Sequence, residues 1–306
     1  MTRVAVTGAG GYLGGRLVRH LHGAGVEVRG LARHPAPWLP ITSTVGELTA
    51  DALDAALDEV DAVVHLAGAD EVAAAADPDG TTAATVAAAG AVAGAVHRAG
   101  DIRLVYVSTV HVYGAAITDG AVLSEETEPA PTAAYAAARL ACEQVWQESG
   151  IDAVTLRLTN GVGAPPDPAV DRWSLLANDL CRQAVTTGEV ALRTHGLQWR
   201  DFIALADVMD AIARAADPRQ LSPGTYNLGS GRPHTVRDVA ALVQDAAERQ
   251  LGGRPPLLAP EAPARAPAPY SVSIERLGAQ GWKPEASLRD AVDETLAFCL
   301  AHRDAL

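Results

Sequence analysis

The sequence predicts an α/β protein: a doubly wound parallel sheet flanked by helices, with a smaller C-terminal substrate-binding lobe. Three observations predict it. Short β-branched runs alternate with helical stretches, the runs are almost continuously apolar, and a glycine-rich turn joins the first run to the first helix. Unbroken apolar content marks strands covered on both faces, and strand–helix alternation builds a parallel sheet. At 306 residues, 48% hydrophobic and 20% charged, the chain is long enough to bury a sizeable core.

In order, "RVAVTG" (3–8), "VEVRGLA" (26–32), "DAVVHLA" (61–67), "IRLVYVS" (102–108) and "DAVTLRL" (152–158) read as buried strands. Residues 12–22, 50–58, 81–98 and 132–149 read as the helices between them. After residue 160 the rhythm breaks. "GAPPDPAV" (163–170) is a loop, 171–187 a helix, "RPPLLAPEAPARAPAP" (254–269) a Pro/Ala-rich connection and 287–302 a final helix. This divides the chain into a dinucleotide-binding domain over 1–160 and a mainly substrate-binding lobe over 161–306. Later segments, such as 206–216 within 201–228, return to the first domain.

A net charge of −13 argues against nucleic acid as a partner but leaves room for a small anionic ligand gripped by local arginines. The cysteines Cys142, Cys181 and Cys299 are widely spaced without a CxxC, which predicts reduced thiols in a cytoplasm and no metal site. The chain enters a strand directly after "MT", so no signal peptide is expected. The most membrane-like stretch, 81–96, is shorter than the ~20 residues a bilayer requires. Lys283 is the only lysine, leaving 23 of the 24 basic residues as arginine.

"VAVTGAGGYLGG" places Gly8, Gly11 and Gly14 between the first strand and helix, spaced GxxGxxG. Glycines permit a tight turn and close backbone approach, and a helix N-terminus favours a pyrophosphate. An acidic residue ending the second strand would bond a ribose 2′-hydroxyl; here Ala32, Arg33 and His34 stand there. Arg33 is either an exposed loop cation or a partner for a 2′-phosphate, which favours NADP(H) over NAD(H). In "PTAAYAAARLACE" (131–143), Tyr135 and Arg139 lie four apart and share a helical face. A free phenol is a poor base near neutrality, and a neighbouring cation would favour its ionised form.

The ordered set TGxxGxxG (7–14), "DAVVHLAG" (61–68), "VSTVHVYG" (107–114), YxxxR (135–139), "LRLTNGVGAP" (156–165), "RDFIALADV" (200–208), "TYNLGSG" (225–231) and "GWKPEASL" (281–288) resembles the extended short-chain dehydrogenase/reductases of the NAD-dependent epimerase/dehydratase type. The resemblance spans essentially the whole chain. It implies a Rossmann-type sheet, a nicotinamide cofactor, hydride chemistry on a nucleotide-activated sugar and a homodimer. It makes Tyr135 the acid/base and Thr109 its hydroxyl partner. The family's lysine is Arg139 here, which either supplies the same charge or weakens the site. The cofactor segment would include Gly8, Gly11, Tyr12, Leu13, Gly14, Arg33, Glu47, Leu48, Leu66, Ala67 and Gly68.

Substrate contacts would fall on Thr109, Asn160, Asn178, Arg200 and Arg232, with Arg200 either gripping a diphosphate or pairing with Asp201. The family's dehydratases carry Asp-Glu after the threonine; Val110 and His111 stand there, which disfavours dehydration and leaves His111 as a second acid/base or a structural histidine. Where the family carries a histidine after RDFI, this chain has Ala204. Keto-sugar reduction and epimerisation through a transient ketone both fit. So do a ketoreductase for a non-nucleotide metabolite and a weakly active NADP-binding homologue.

Overall fold

In the computed structural model, which describes residues 3–306, the strands are β1 (Arg3–Thr7), β2 (Glu27–Ala32), β3 (Ser43–Val45), β4 (Ala62–His65), β5 (Arg103–Thr109), β6 (Val122–Leu123), β7 (Ala153–Leu158), β8 (Asn160–Val162), β9 (Val190–Ala191), β10 (Trp199–Ala204), β11 (Gly224–Leu228), β12 (Pro233–Thr235), β13 (Leu257–Leu258) and β14 (Ser271–Val272). The helices are α1 (Tyr12–Gly23), α2 (Ala50–Leu57), α3 (Glu71–Ala76), α4 (Pro78–Ala99), α5 (Ala134–Ser149), α6 (Leu176–Thr186), α7 (Leu205–Ala215), α8 (Val236–Leu251), α9 (Glu275–Ala279) and α10 (Leu288–Ala301).

Seven strands form one parallel sheet in the order β11-β7-β5-β4-β1-β2-β3. Side chains alternate across it, as a period of two requires. Val4, Val6, Val64 and Val105 face one way, onto Leu17 and Val18 of α1 and Val208 and Ile212 of α7. Ala5, Val63, Leu104 and Tyr106 face the other way, onto Leu53 of α2, Val92 and Val96 of α4 and Trp146 of α5. Burying each large apolar side chain contributes about 1.5–3 kcal/mol, so both faces hold their helices. A third core, between α6, α8 and α10, lies in the C-terminal part.

The five expected strands are present as β1, β2, β4, β5 and β7, and the first four expected helices as α1, α2, α4 and α5, with shifted ends. α4 starts earlier than predicted, at Pro78, because the Asp77 side chain accepts from Gly80 N and proline suits a first helical turn. α6 is shorter than 171–187: Leu175 is extended (φ −73°, ψ 134°), and Asp171 and Arg172 stay in a loop. Several features were not foreseen. The edge strand β3 has only three residues, and β8, β10 and β12 form a separate small sheet. Within the Pro/Ala-rich connection, Leu257–Leu258 pairs with Val190–Ala191.

β1 lies between β2 and β4, so the strand order reverses there. In open α/β sheets that reversal opens a crevice at the carboxyl ends of the strands. Thr7, His65 and Thr109 end β1, β4 and β5.

Candidate active site

A cavity of about 340 Å³ occupies this crevice. One wall is Gly8, Gly11, Tyr12, Leu13, Gly14, Leu66 and Gly68; facing it are Thr109, His111, Tyr135, Arg139 and Asn160. Gly8 adopts φ +71°, and a Cβ there would stand 2.8 Å from Ala67 N. A Cβ on Gly14 would stand 2.0 Å from Gly8 O. Gly11 caps α1 without a side-chain acceptor, leaving first-turn N–H groups beside the cavity. These residues fit a dinucleotide: a close-approach cradle and a helix N-terminus open to an anion.

Tyr135 and Arg139 project from α5 into the same cavity. Arg139 is only 8% exposed, and among the described residues no carboxylate pairs with it. Its Nη1 donates to Tyr106 Oη at 3.4 Å and its Nη2 to Ala69 O at 3.3 Å. The guanidinium carbon lies 5.1 Å from the Tyr135 ring centre and 5.9 Å from that of Tyr106. Thr109 is buried, and its Oγ1 accepts from His111 N at 3.2 Å. His111 is exposed where the cavity opens onto it. The protein around its other sides disfavours the imidazolium, Arg200 adds to this and Glu71 opposes it, so its pKa is lowered.

Behind α5 lies a buried ion pair. Glu143, two turns beyond Tyr135, receives Ser108 Oγ at 2.5 Å and Arg157 Nη2 at 2.7 Å. Arg157 in turn lies 5.0 Å from the Tyr113 ring centre, and Tyr113 Oη donates to Asn227 Oδ1 at 2.7 Å. The chain of contacts joins α5 to β5, β7 and β11.

Several sequence candidates lie elsewhere. Asn178 was expected at the substrate but is 0% exposed; its Nδ2 donates to Tyr12 Oη and to Arg172 O, both at 3.3 Å. It holds the first turn of α1 against α6 instead. Tyr12 itself donates to Gly163 O at 2.5 Å, and burial pushes its phenol up to about 12, so it stays protonated. Arg200 does not line the cavity, and the Arg200–Asp201 pair is absent: Asp201 accepts from Thr159 Oγ1, Ser230 N and Arg232 N. Arg232 is an exposed side chain outside the cavity. Asn160 lines it while donating Nδ2 to Asp201 O at 2.8 Å. Arg33 is exposed just after β2 with no ion-pair partner among the described residues; Glu47 is exposed, and Leu48 packs towards the α2–α4 core.

Sequence reasoning missed His65, Tyr106 and the cavity mouth, where Arg172 bridges Asp70 at 3.2 Å and Glu71 at 2.8 Å. Thr7 Oγ1 accepts from Leu66 N and Ala67 N, so its proton goes to His65 Nδ1 at 2.8 Å. That leaves the neutral ring's proton on Nε2, which has no partner. Burial, and then the charge of Arg139, lower the His65 pKa to about 3. Between the unfolded value near 6.5 and about 3 the unfolded chain therefore binds the extra proton, and stability falls as pH falls. The expected slope from this one group is about 1.4 kcal/mol per pH unit. Urea midpoints measured across that window should show the slope in the parent and a shallower one in His65→Asn.

A family model described as "NAD dependent epimerase/dehydratase family" matches residues 4–229. The chain is 31% identical over 305 residues to a dTDP-6-deoxy-L-talose 4-dehydrogenase (NAD(P)(+)) of Kitasatospora kifunensis, covering 95% of this chain and 94% of that one. It is 27% identical to a UDP-glucose 4-epimerase of Azospirillum brasilense, covering 95% and 89%. Among solved structures, MoeE5 in complex with UDP-glucose and NAD superposes with a TM-score of 0.81 at 25% identity, over 99% and 100%. The names of all three carry a nucleotide sugar, and those of the dehydrogenase and of the MoeE5 complex also carry a nicotinamide cofactor; in this chain no helix among the described residues is long and apolar enough to cross a membrane. The chain is an enzyme of the NAD-dependent epimerase/dehydratase family.

Proposed function

We propose that the chain transfers hydride at C4 of a nucleoside-diphosphate 6-deoxyhexose, reducing the 4-keto sugar or running the reverse dehydrogenation, with NADP(H) preferred over NAD(H). The observation that carries this reading is the convergence of Tyr135, Arg139 and Thr109 on one cavity walled by the glycine turn. The Kitasatospora kifunensis relative supports the substrate class. Arg33, exposed and unpaired among the described residues just past β2, supports the cofactor preference. In this reading residues 1–160, with 201–228, bind the cofactor, and 161–306 mainly hold the sugar.

When bound, the nicotinamide ring supplies or accepts the hydride; the protein moves the proton. Tyr135 gives its phenolic proton to the substrate oxygen as the carbonyl is reduced, and recovers it in reverse. Thr109 Oγ1 already accepts from His111 N, which leaves its own O–H to donate to the same oxygen. Arg139 cannot relay a proton, but its fixed charge stabilises negative charge developing on the phenol oxygen. Val110, buried beside Thr109, has no proton for a leaving group, which disfavours elimination. His111 is a further acid/base group on the cavity wall, two residues beyond Thr109.

The test is incubation with NADPH or NADH and a panel of dTDP- and UDP-linked 4-keto sugars, and with the parent sugars and NADP⁺ or NAD⁺. NADPH oxidation linked to a new C4 hydroxyl is expected. Interconversion of epimers without net cofactor change assigns epimerisation instead, and silence across the panel with cofactor bound contradicts both. Because Arg200 lies outside the cavity, a second reading is a ketoreductase for a non-nucleotide metabolite. Arg200→Ala then leaves KM unchanged, whereas a gripped diphosphate makes KM rise by about tenfold or more. The small exposed residues of α4 (Ala83, Ala87, Gly90), beside α5, support a homodimer through these helices. Light scattering should give the mass of two chains; the mass of one contradicts this.

A further inference from the structure

We infer that Gly68, Ala69 and Tyr106 form a seat built for a guanidinium, so that lysine at position 139 replaces Arg139 only in part. The inference rests on the roles proposed above for Tyr135 and Arg139, and makes Tyr106 a positioning residue.

Gly68 supplies the space. Its φ is not positive, so the backbone there does not demand glycine. A Cβ at 68 would instead lie 3.2 Å from Arg139 Nη2, 3.3 Å from Nη1 and 3.4 Å from the guanidinium carbon. Such contacts are tight, and the guanidinium has little room to retreat: it is held on its other sides by two rings and two acceptors. The missing side chain is matched to the planar head group lying against it.

Ala69 and Tyr106 supply the directions. Ala69 O accepts from Nη2 and Tyr106 Oη from Nη1, two acceptors addressing two nitrogens of one rigid fork. An ammonium on a shorter, flexible stem offers a single nitrogen. The rings of Tyr106 and Tyr135, 5.9 and 5.1 Å from the guanidinium carbon, replace the carboxylate that a buried cation ordinarily needs. Guanidinium is weakly hydrated and tolerates such a setting; a strongly hydrated ammonium does not. Tyr106 is 0% exposed and so has no role as a surface contact.

The test is a double-mutant cycle of G68A and R139K, together with Y106F, in the full-length protein. Turnover is read as kcat and KM, NADPH binding by fluorescence titration and folding by melting temperature. R139K and Y106F are each expected to lower kcat by about tenfold with KM nearly unchanged. G68A should weaken NADPH binding and lower the melting temperature in the parent, and do neither in the R139K background. Equal penalties of G68A in both backgrounds, or parental kcat in R139K, overturn the seat. If the parent turns over no substrate while the melting cycle shows the coupling, the seat stands and the catalytic reading fails.

Discussion

Tyr135→Phe is expected to lower kcat for keto-sugar reduction by about a thousandfold, the scale of a removed general acid. The substitution deletes one oxygen and keeps the ring, so the aromatic face 5.1 Å from the Arg139 guanidinium carbon survives. NADPH binding should therefore change little, and the loss should fall on kcat. NADPH oxidation under saturating substrate, paired with fluorescence titration of the cofactor, checks both halves. Retention of turnover within about tenfold would mean that another group moves the proton; His111, on the same cavity, is then the first to replace.

Glu143→Ala should destabilise the protein by about 3–5 kcal/mol, because it leaves a buried guanidinium without its counter-ion. Glu143 and Arg157 are 1% and 5% exposed, and Ser108 and Tyr113 complete their surroundings. The measurement is the urea midpoint at constant m-value. Replacing both partners, Glu143→Leu with Arg157→Met, should recover much of that stability, since an apolar pair is often as stable as a buried ion pair. It should not recover the parental kcat, because the pair also ties α5, which carries Tyr135, to Ser108 beside Thr109. A double variant with parental kcat would reduce the pair to a purely structural contact.

The parts of this molecule legible in its sequence are those in which a local pattern is also the global one. β1, β4, β5 and β7 are buried on both faces, and their apolar runs say so. Tyr135 and Arg139 are one helical turn apart, and helical spacing alone joins them. β3 was illegible because three residues at a sheet edge, with Val45 exposed, carry no pattern. β8 and β10 were hidden inside motifs read for their chemistry, since parallel pairing of Asn160 with Phe202 leaves no short-range trace.

Side-chain partners failed for the same reason. Asn178 is held by Tyr12, 166 positions away, and Tyr106 meets Arg139 from 33 positions away. The arginine at 139 was visible as a departure from lysine, while the glycine and phenol that accommodate it were not visible as its partners. Arg200 and Arg232 match grips by motif, yet the fold leaves both outside the cavity.

A crystal structure of the NADPH complex tests the central claim most directly. The account predicts the nicotinamide ring in this cavity, its C4 edge beside the Tyr135 hydroxyl, and the Arg139 guanidinium still seated between Tyr106 and Ala69. A ring bound away from Tyr135, or an Arg139 side chain turned out into solvent, would contradict it.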